Sequence, residues 1–202
     1  MYADHVPPIN AAMRASPRTF ARGVLFAVLS ARVQFPRVRD QLREVTRVGR
    51  GAAALWGWKQ QSFDYLETHA AQLQRDVLAA DTTADALARL CEVPGLGIVK
   101  GAFVLQFLGH DIACLDTRNA QREGLDPREW QAHGRKHNKI FRQKIEAYCA
   151  ATHGRAAELW NAWCEEVGSI YGEDPDTISS WHLAIVPRGF LKQWQGREAV
   201  PL

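Results

Sequence analysis

Apolar residues recur along this chain at three- and four-residue steps, and that period predicts helices almost throughout. Phe63, Leu66, Ala70, Leu73 and Val77 mark a strongly amphipathic helix. Val38, Leu42 and Val45 mark the stripe of a shorter one. From Phe20 to Ala31 the chain is apolar nearly all round, so this helix is expected to be central and buried. Ser16 and Pro17 fit its start, a cap followed by proline at the first helical position. Thr82 or Thr83 can cap a helix carrying Leu87 and Leu90, and a further helix runs from about Ile98 to Leu108. Ile140/Phe141, Ile145 and Tyr148/Cys149 mark another, as do Ala156, Trp160, Trp163, Val167 and Ile170. The first seventeen residues read as an irregular arm. No alternating strand and no internal repeat is visible. The expected fold class is all-α with short connections.

Composition narrows the classes. The chain has 202 residues, 47% apolar and 23% charged, as in a globular protein with a sizeable core. No apolar run is long enough for a membrane helix, and the N-terminus lacks a signal-like layout. A cytoplasmic protein with no membrane partner is expected. Cys91, Cys114, Cys149 and Cys164 match neither zinc nor iron–sulfur spacing and read as reduced, mostly buried thiols. Net charge is +3 but uneven: residues 14–50 hold nine arginines against Asp40 and Glu44. Residues 133–144 hold five Lys/Arg, two His and no acid. Such asymmetry points to a polyanionic partner, with solvated helix faces as the plainer alternative.

Between two predicted helices lies "VPGLG", residues 93–97. Helix, P-G-x-G, helix is the layout of a helix-hairpin-helix motif. Gly95 and Gly97 allow backbone angles and close approach that a side chain blocks. The turn exposes N–H groups at a helix start, where a phosphate can bind, and Lys100 could add charge. A plain turn between helices has the same pattern. "GHDIACLDTRN", residues 109–119, then puts Asp116 just beyond an apolar helix.

This order resembles the helix-hairpin-helix DNA glycosylases of the endonuclease III group, in which an "LPGVG" hairpin precedes a "VDT" aspartate. "AVLSARVQ", residues 27–34, and "LWGWKQ", residues 55–60, resemble that family's "LLSAQ" helix end and "LYNSKA" loop. The four matches cover roughly residues 20–119, and the C-terminal third matches more weakly. The resemblance implies two helical lobes with a cleft between them. One is a barrel over 18–112 with the hairpin at about 84–109, and the other is 1–17 plus 113–202. The cleft would accept a nucleotide flipped out of double-stranded DNA, in a bacterial or phage-infected cell.

The resemblance also assigns roles. Asp116 corresponds to the aspartate that stabilises charge developing on the sugar, with a helix cap as its alternative reading. Arg32 stands where relatives fill the gap left by the flipped base, with Gln34 beside it. Leu55, Trp56 and Trp58 stand in the loop that wedges into the stack, core packing being their alternative. Lys59, Arg118, Arg135, Lys136 and Lys139 are candidates for phosphate contacts. His182, in "SSWHLAIV", could line the cleft or be a hydrogen-bonded structural histidine. The Schiff-base lysine of lyase members falls at Val99 when counted from the hairpin. Lys100 is then turned by about 100° and expected to point elsewhere, towards a phosphate. Water is the expected nucleophile. The family's iron–sulfur cluster is not expected, and a monovalent cation at hairpin carbonyls is a further implication.

Three functions are compatible. The first is a monofunctional glycosylase acting on a modified or damaged base. The second keeps the fold and resembles bacteriophage enzymes thought to hypermodify thymine, placing an amino acid or polyamine on an activated 5-hydroxymethyl pyrimidine. Asp116 would then be a general base on a small amine co-substrate. The third is a non-enzymatic DNA-binding module.

Overall fold

Ser16 caps the helix that organises the molecule: its hydroxyl accepts from the Thr19 N–H, and Pro17 opens the first turn. A computed structural model describes residues 1–130 and 139–194 of the chain. Within them lie eleven α-helices and no strand. They are α1 (Tyr2–Ala15), α2 (Pro17–Leu29), α3 (Pro36–Val48), α4 (Trp58–Leu78), α5 (Thr83–Leu90), α6 (Ile98–Phe107), α7 (Thr117–Arg122), α8 (Lys139–Thr152), α9 (Ala156–Tyr171), α10 (Pro175–Ser180) and α11 (Arg188–Trp194). Short 3-10 turns occupy Gly49–Gly51 and Trp181–Ile185.

Helix α2 is buried on every side, as its all-round apolar sequence requires. Helices α1, α3, α4 and α6 surround it. The stripes read from sequence are the buried ones: Val38, Leu42 and Val45 on α3, and Phe63, Leu66, Leu73 and Val77 on α4. Apart from Ala120 and Ala156, the buried apolar side chains form one continuous cluster. Ile140 and Ile170 depart from their stripes and stand exposed, leaving Phe141 and Val167 to face the core.

The first residues are not an irregular arm. They form α1, with Pro7 and Pro8 inside it. Val6, Ile9 and Met13 fall on one helical face and are fully buried, and that burial outweighs the backbone bonds the prolines cannot make. Gln74 on α4 supports the docked helix, its amide donating to the Met13 carbonyl at 2.6 Å.

Polar side chains fix the loops. Arg22 on α2 donates to the Ile185 and Ala184 carbonyls at 3.0 and 2.6 Å, and so holds the second 3-10 turn. The buried Tyr148 hydroxyl donates to the Ala113 carbonyl and accepts from the Leu115 N–H, both at 2.8 Å. Gln106 donates to the Ala156 carbonyl at 2.7 Å and accepts from the Cys114 N–H at 3.3 Å. Tyr148 and Gln106 therefore clamp residues 113–115 before the chain turns into α7.

Thr82, not Thr83, caps α5, accepting from the Asp85 N–H. Between α5 and α6 the chain turns through Gly95 at φ +74°, a left-handed angle that costs an L side chain. A Cβ at Gly95 would also lie 2.1 Å from the Trp58 ring. Gly97 differs: its backbone is extended, and a Cβ there would meet nothing within 4 Å. Gly95→Ala is expected to destabilise the chain by about 2 kcal/mol or more, with Trp58 displaced. Gly97→Ala is expected to change stability by less than about 1 kcal/mol. Urea titration of the two variants measures the difference.

Candidate functional site

A cavity of about 460 Å³ opens where the end of α2, helix α6, residues 114–119, helix α9 and the second 3-10 turn meet. That is a size suited to a small-molecule ligand or a single base. Phe35, Phe103, Trp160 and Trp163 give it aromatic walls, and Lys100, Cys114, Asp116 and His182 are among the ionisable groups that line it.

Asp116 is both the helix cap and a cavity residue. One carboxylate oxygen accepts from the Arg118 and Asn119 N–H groups, each at 3.1 Å, and so starts α7. The other accepts from Trp163 Nε1 at 2.9 Å. Three N–H donors thus fix its plane, and the Tyr148 clamp fixes the backbone before it. Sequence reading missed Trp163, which counted as one apolar position of α9. The repeated tryptophan of "LWNAW" was the available signal.

Lys100 does not point away. It lines the same cavity as Asp116, and its Nζ donates to Ser30 Oγ at 2.9 Å. Its ammonium also lies 5.4 Å from the centre of the Phe103 ring. Counting from the turn placed it one step off, but α6 packs so that this step still faces the end of α2. With its Nζ donating to Ser30 and lying over Phe103, Lys100 serves as a hydrogen-bond donor on the cavity wall.

Other assignments change more. Lys59 is no surface phosphate contact. It is fully buried, its Nζ donating to the Leu29 carbonyl at 3.1 Å, where it closes the C-terminal end of α2. Burial, and then the charge of Lys100, lower its pKa. Leu55 is not free to wedge into a base stack, because it is buried in the core. Trp58 is held against Gly95, whereas Trp56 is 47% exposed. None of residues 55–59 lines the cavity.

Arg32 and Gln34 do line it, and both are exposed at its mouth. Arg32 sits at φ +59°, a left-handed conformation rare for a residue with a side chain. Arg118 lines the cavity as well and pairs with Glu166 at 2.7 Å. Lys139 is exposed at the start of α8 and does not reach the cavity. Arg135 and Lys136 lie outside the described residues.

His182 is both things the sequence allowed. It lines the cavity, is fully buried, and has Nδ1 2.9 Å from the Ser179 carbonyl. Burial pushes its pKa down to about 3. Cys114 is on the wall too, and burial pushes its thiol up to about 12, so it stays protonated and is not a nucleophile at neutral pH.

None of the four cysteines forms a disulfide. Among the described residues no group of three or more His, Cys, Asp or Glu is arranged to hold a metal, and no helix is long and apolar enough to cross a membrane. Comparison with family models, curated proteins and solved structures finds no match to this chain.

Proposed function

We propose that this chain is a DNA base-flipping enzyme of the helix-hairpin-helix glycosylase type, cleaving the N-glycosidic bond of a modified or damaged base. In this reading α5, the Gly95 turn and α6 are the hairpin. Residues 18–112 form one helical lobe and 1–17 with 113–202 the other. The observation that carries the reading is the fixed Asp116 carboxylate on the wall of a base-sized aromatic cavity. Its oxygens are oriented by three N–H donors, so no reorganisation is needed as positive charge develops on the sugar. Aromatic walls suit a planar base, Arg32 and Gln34 at the mouth suit the space the base vacates, and the arginines of α3 suit the duplex backbone. Water is the nucleophile, and Lys100 acts as a cation.

The test uses duplexes each carrying one candidate base: uracil, 8-oxoguanine, alkylated adenine, 5-hydroxymethyluracil or its pyrophosphorylated form. Each is incubated with and without amino acids and polyamines, and intact mass is read. Loss of one base establishes the glycosylase. A gain over the hydroxymethyl precursor, seen only with an amine, establishes the transferase instead. Binding without any mass change would leave a DNA-binding module. Borohydride added during turnover is expected to trap no protein–DNA adduct, because the Lys100 Nζ is engaged with Ser30 Oγ and water is the nucleophile. An adduct lost in Lys100→Met would overturn the assignment of water.

A further inference from the structure

Most polar groups around the cavity are already satisfied by the protein. Gln106 bonds Ala156 and Cys114, Asn119 donates to the Cys114 carbonyl, and Ser30 donates to the Ala27 carbonyl. The two nearby indoles are committed as well, Trp160 Nε1 to Ser179 Oγ and Trp163 Nε1 to Asp116. His182 is the exception. A carbonyl can only accept, so the contact with Ser179 puts the imidazole hydrogen on Nδ1. Nε2 is therefore a bare acceptor. It is buried and has no partner among the described residues. A buried acceptor without a donor is costly, and His182, though part of the cavity lining, exposes no surface there, so a donor reaches Nε2 as the ring or an adjacent side chain shifts.

The surroundings restrict the answer. The His182 ring lies 4.3 Å from that of Trp160, 5.0 Å from Phe35 and 6.0 Å from Trp163, centre to centre. Such walls accept flat rings by stacking and edge contacts. The depressed pKa keeps Nε2 unprotonated at neutral pH, with burial first, and then the charges of His5 and Lys100, opposing a second proton.

We propose that His182 Nε2 accepts a hydrogen bond from the N–H edge of a planar nitrogen heterocycle held in the cavity. The site then takes bases presenting a ring N–H or an exocyclic amino group there, and rejects those in which that edge is fully alkylated. The inference deepens the base-flipping reading and rests on it for the source of the ring. Its selectivity comes from the asymmetry of a site built around a bonded group, which discriminates strongly against a ligand that leaves the partner unpaired.

Nitrogen NMR of the intact, histidine-labelled protein tests this. The probes are 1-methyluracil against 1,3-dimethyluracil, for a ring N–H, and 9-methyladenine against its N6,N6-dimethyl form, for an amino group. One parent base is expected to move the unprotonated Nε2 signal of His182 upfield, while its alkylated partner does not. Which parent does so identifies the kind of edge. In His182→Phe, which keeps an aromatic ring in an aromatic site, binding of that base is expected to weaken about tenfold. No shift with either parent, or equal shifts with the alkylated forms, would overturn the proposal. No cleavage enters the measurement, so the two readings fail separately. Excision from DNA without the shift removes the His182 role and leaves Asp116, and the shift without excision does the reverse.

Discussion

Asp116→Asn is expected to lower base excision about a thousandfold, the scale on which a preorganised charged or polar group in a dry site acts on a transition state. The substitution is close to isosteric, so the cavity keeps its shape. Asparagine is also an acceptable cap, and its single oxygen can continue to start α7. That oxygen cannot also serve Trp163, whose indole N–H would then face an amide N–H across the present 2.9 Å contact. The variant is therefore expected to lose about 1 kcal/mol of stability as well, which single-turnover assays well below the melting temperature keep separate from chemistry. Trp163→Phe dissects the site further. It leaves the carboxylate and its cap and removes only the donor that orients the second oxygen. A smaller loss, about tenfold, is expected there. Full activity in Asp116→Asn would remove Asp116 from the chemistry and leave it as a cap.

Acid is expected to cost this chain stability through His182. An unfolded histidine titrates near 6.5, whereas burial holds the folded one at about 3. Between those values the unfolded chain binds the proton and the folded chain does not. The contribution is therefore complete above pH 6.5 and is lost as pH falls towards 3. From pH 7 to pH 4 the loss amounts to roughly 3 kcal/mol, at about 1.4 kcal/mol per unit. His5 on α1 and Lys100 on α6 face the ring and oppose its protonation, and the Ser179 carbonyl favours it less strongly than burial resists. Asp85, held down by the Thr82 hydroxyl and then by Arg142, and Glu123, held down by Arg155, also lose their partners' help in acid. His182→Phe shares those losses, so the difference between the two urea midpoints at pH 4 isolates the histidine. Equal acid sensitivity in the two proteins would show that His182 is not the source.

How far the sequence reached depended on the range of the interaction. Helices α2 and α4 were legible because a period of 3.6 and a cap are local properties, printed within one stretch. Helix α1 was not, because Pro7 and Pro8 are a strong local signal against a helix. What overrides them is burial of Val6, Ile9 and Met13 beneath segments far along the chain. Asp116 was legible as a residue of interest from "LDT" and the hairpin before it. Trp163, which orients it, was not, since it is 47 residues away and reads equally well as core. Lys100 was placed wrongly because a helix register counted from a turn says nothing of how the helix itself is rolled against its neighbours. Lys59 was misread for a related reason. A lysine beside two tryptophans looks like surface, and only the end of α2 arriving overhead makes it a buried closing group.

Helix α1 has a consequence for the order in which the molecule is made. It is the first helix in the chain, yet the Tyr2 N–H bonds Asn161 across 159 residues, and His5 bonds Ser179 across 174. During synthesis α1 leaves the ribosome long before those partners exist. The part of its apolar face that meets α2 can be covered as soon as both helices emerge, but the part that packs against α6, α9, α10 and the second 3-10 turn must wait for their translation. Contacts closed over so long a loop form late, because the chain entropy they remove is not offset until both ends are structured. Docking of α1 is therefore expected to be the slow final step of folding. It comes after the ribosome has delivered α10, and until then the uncovered apolar side of the α1–α2 pair is the surface that a chaperone has reason to hold.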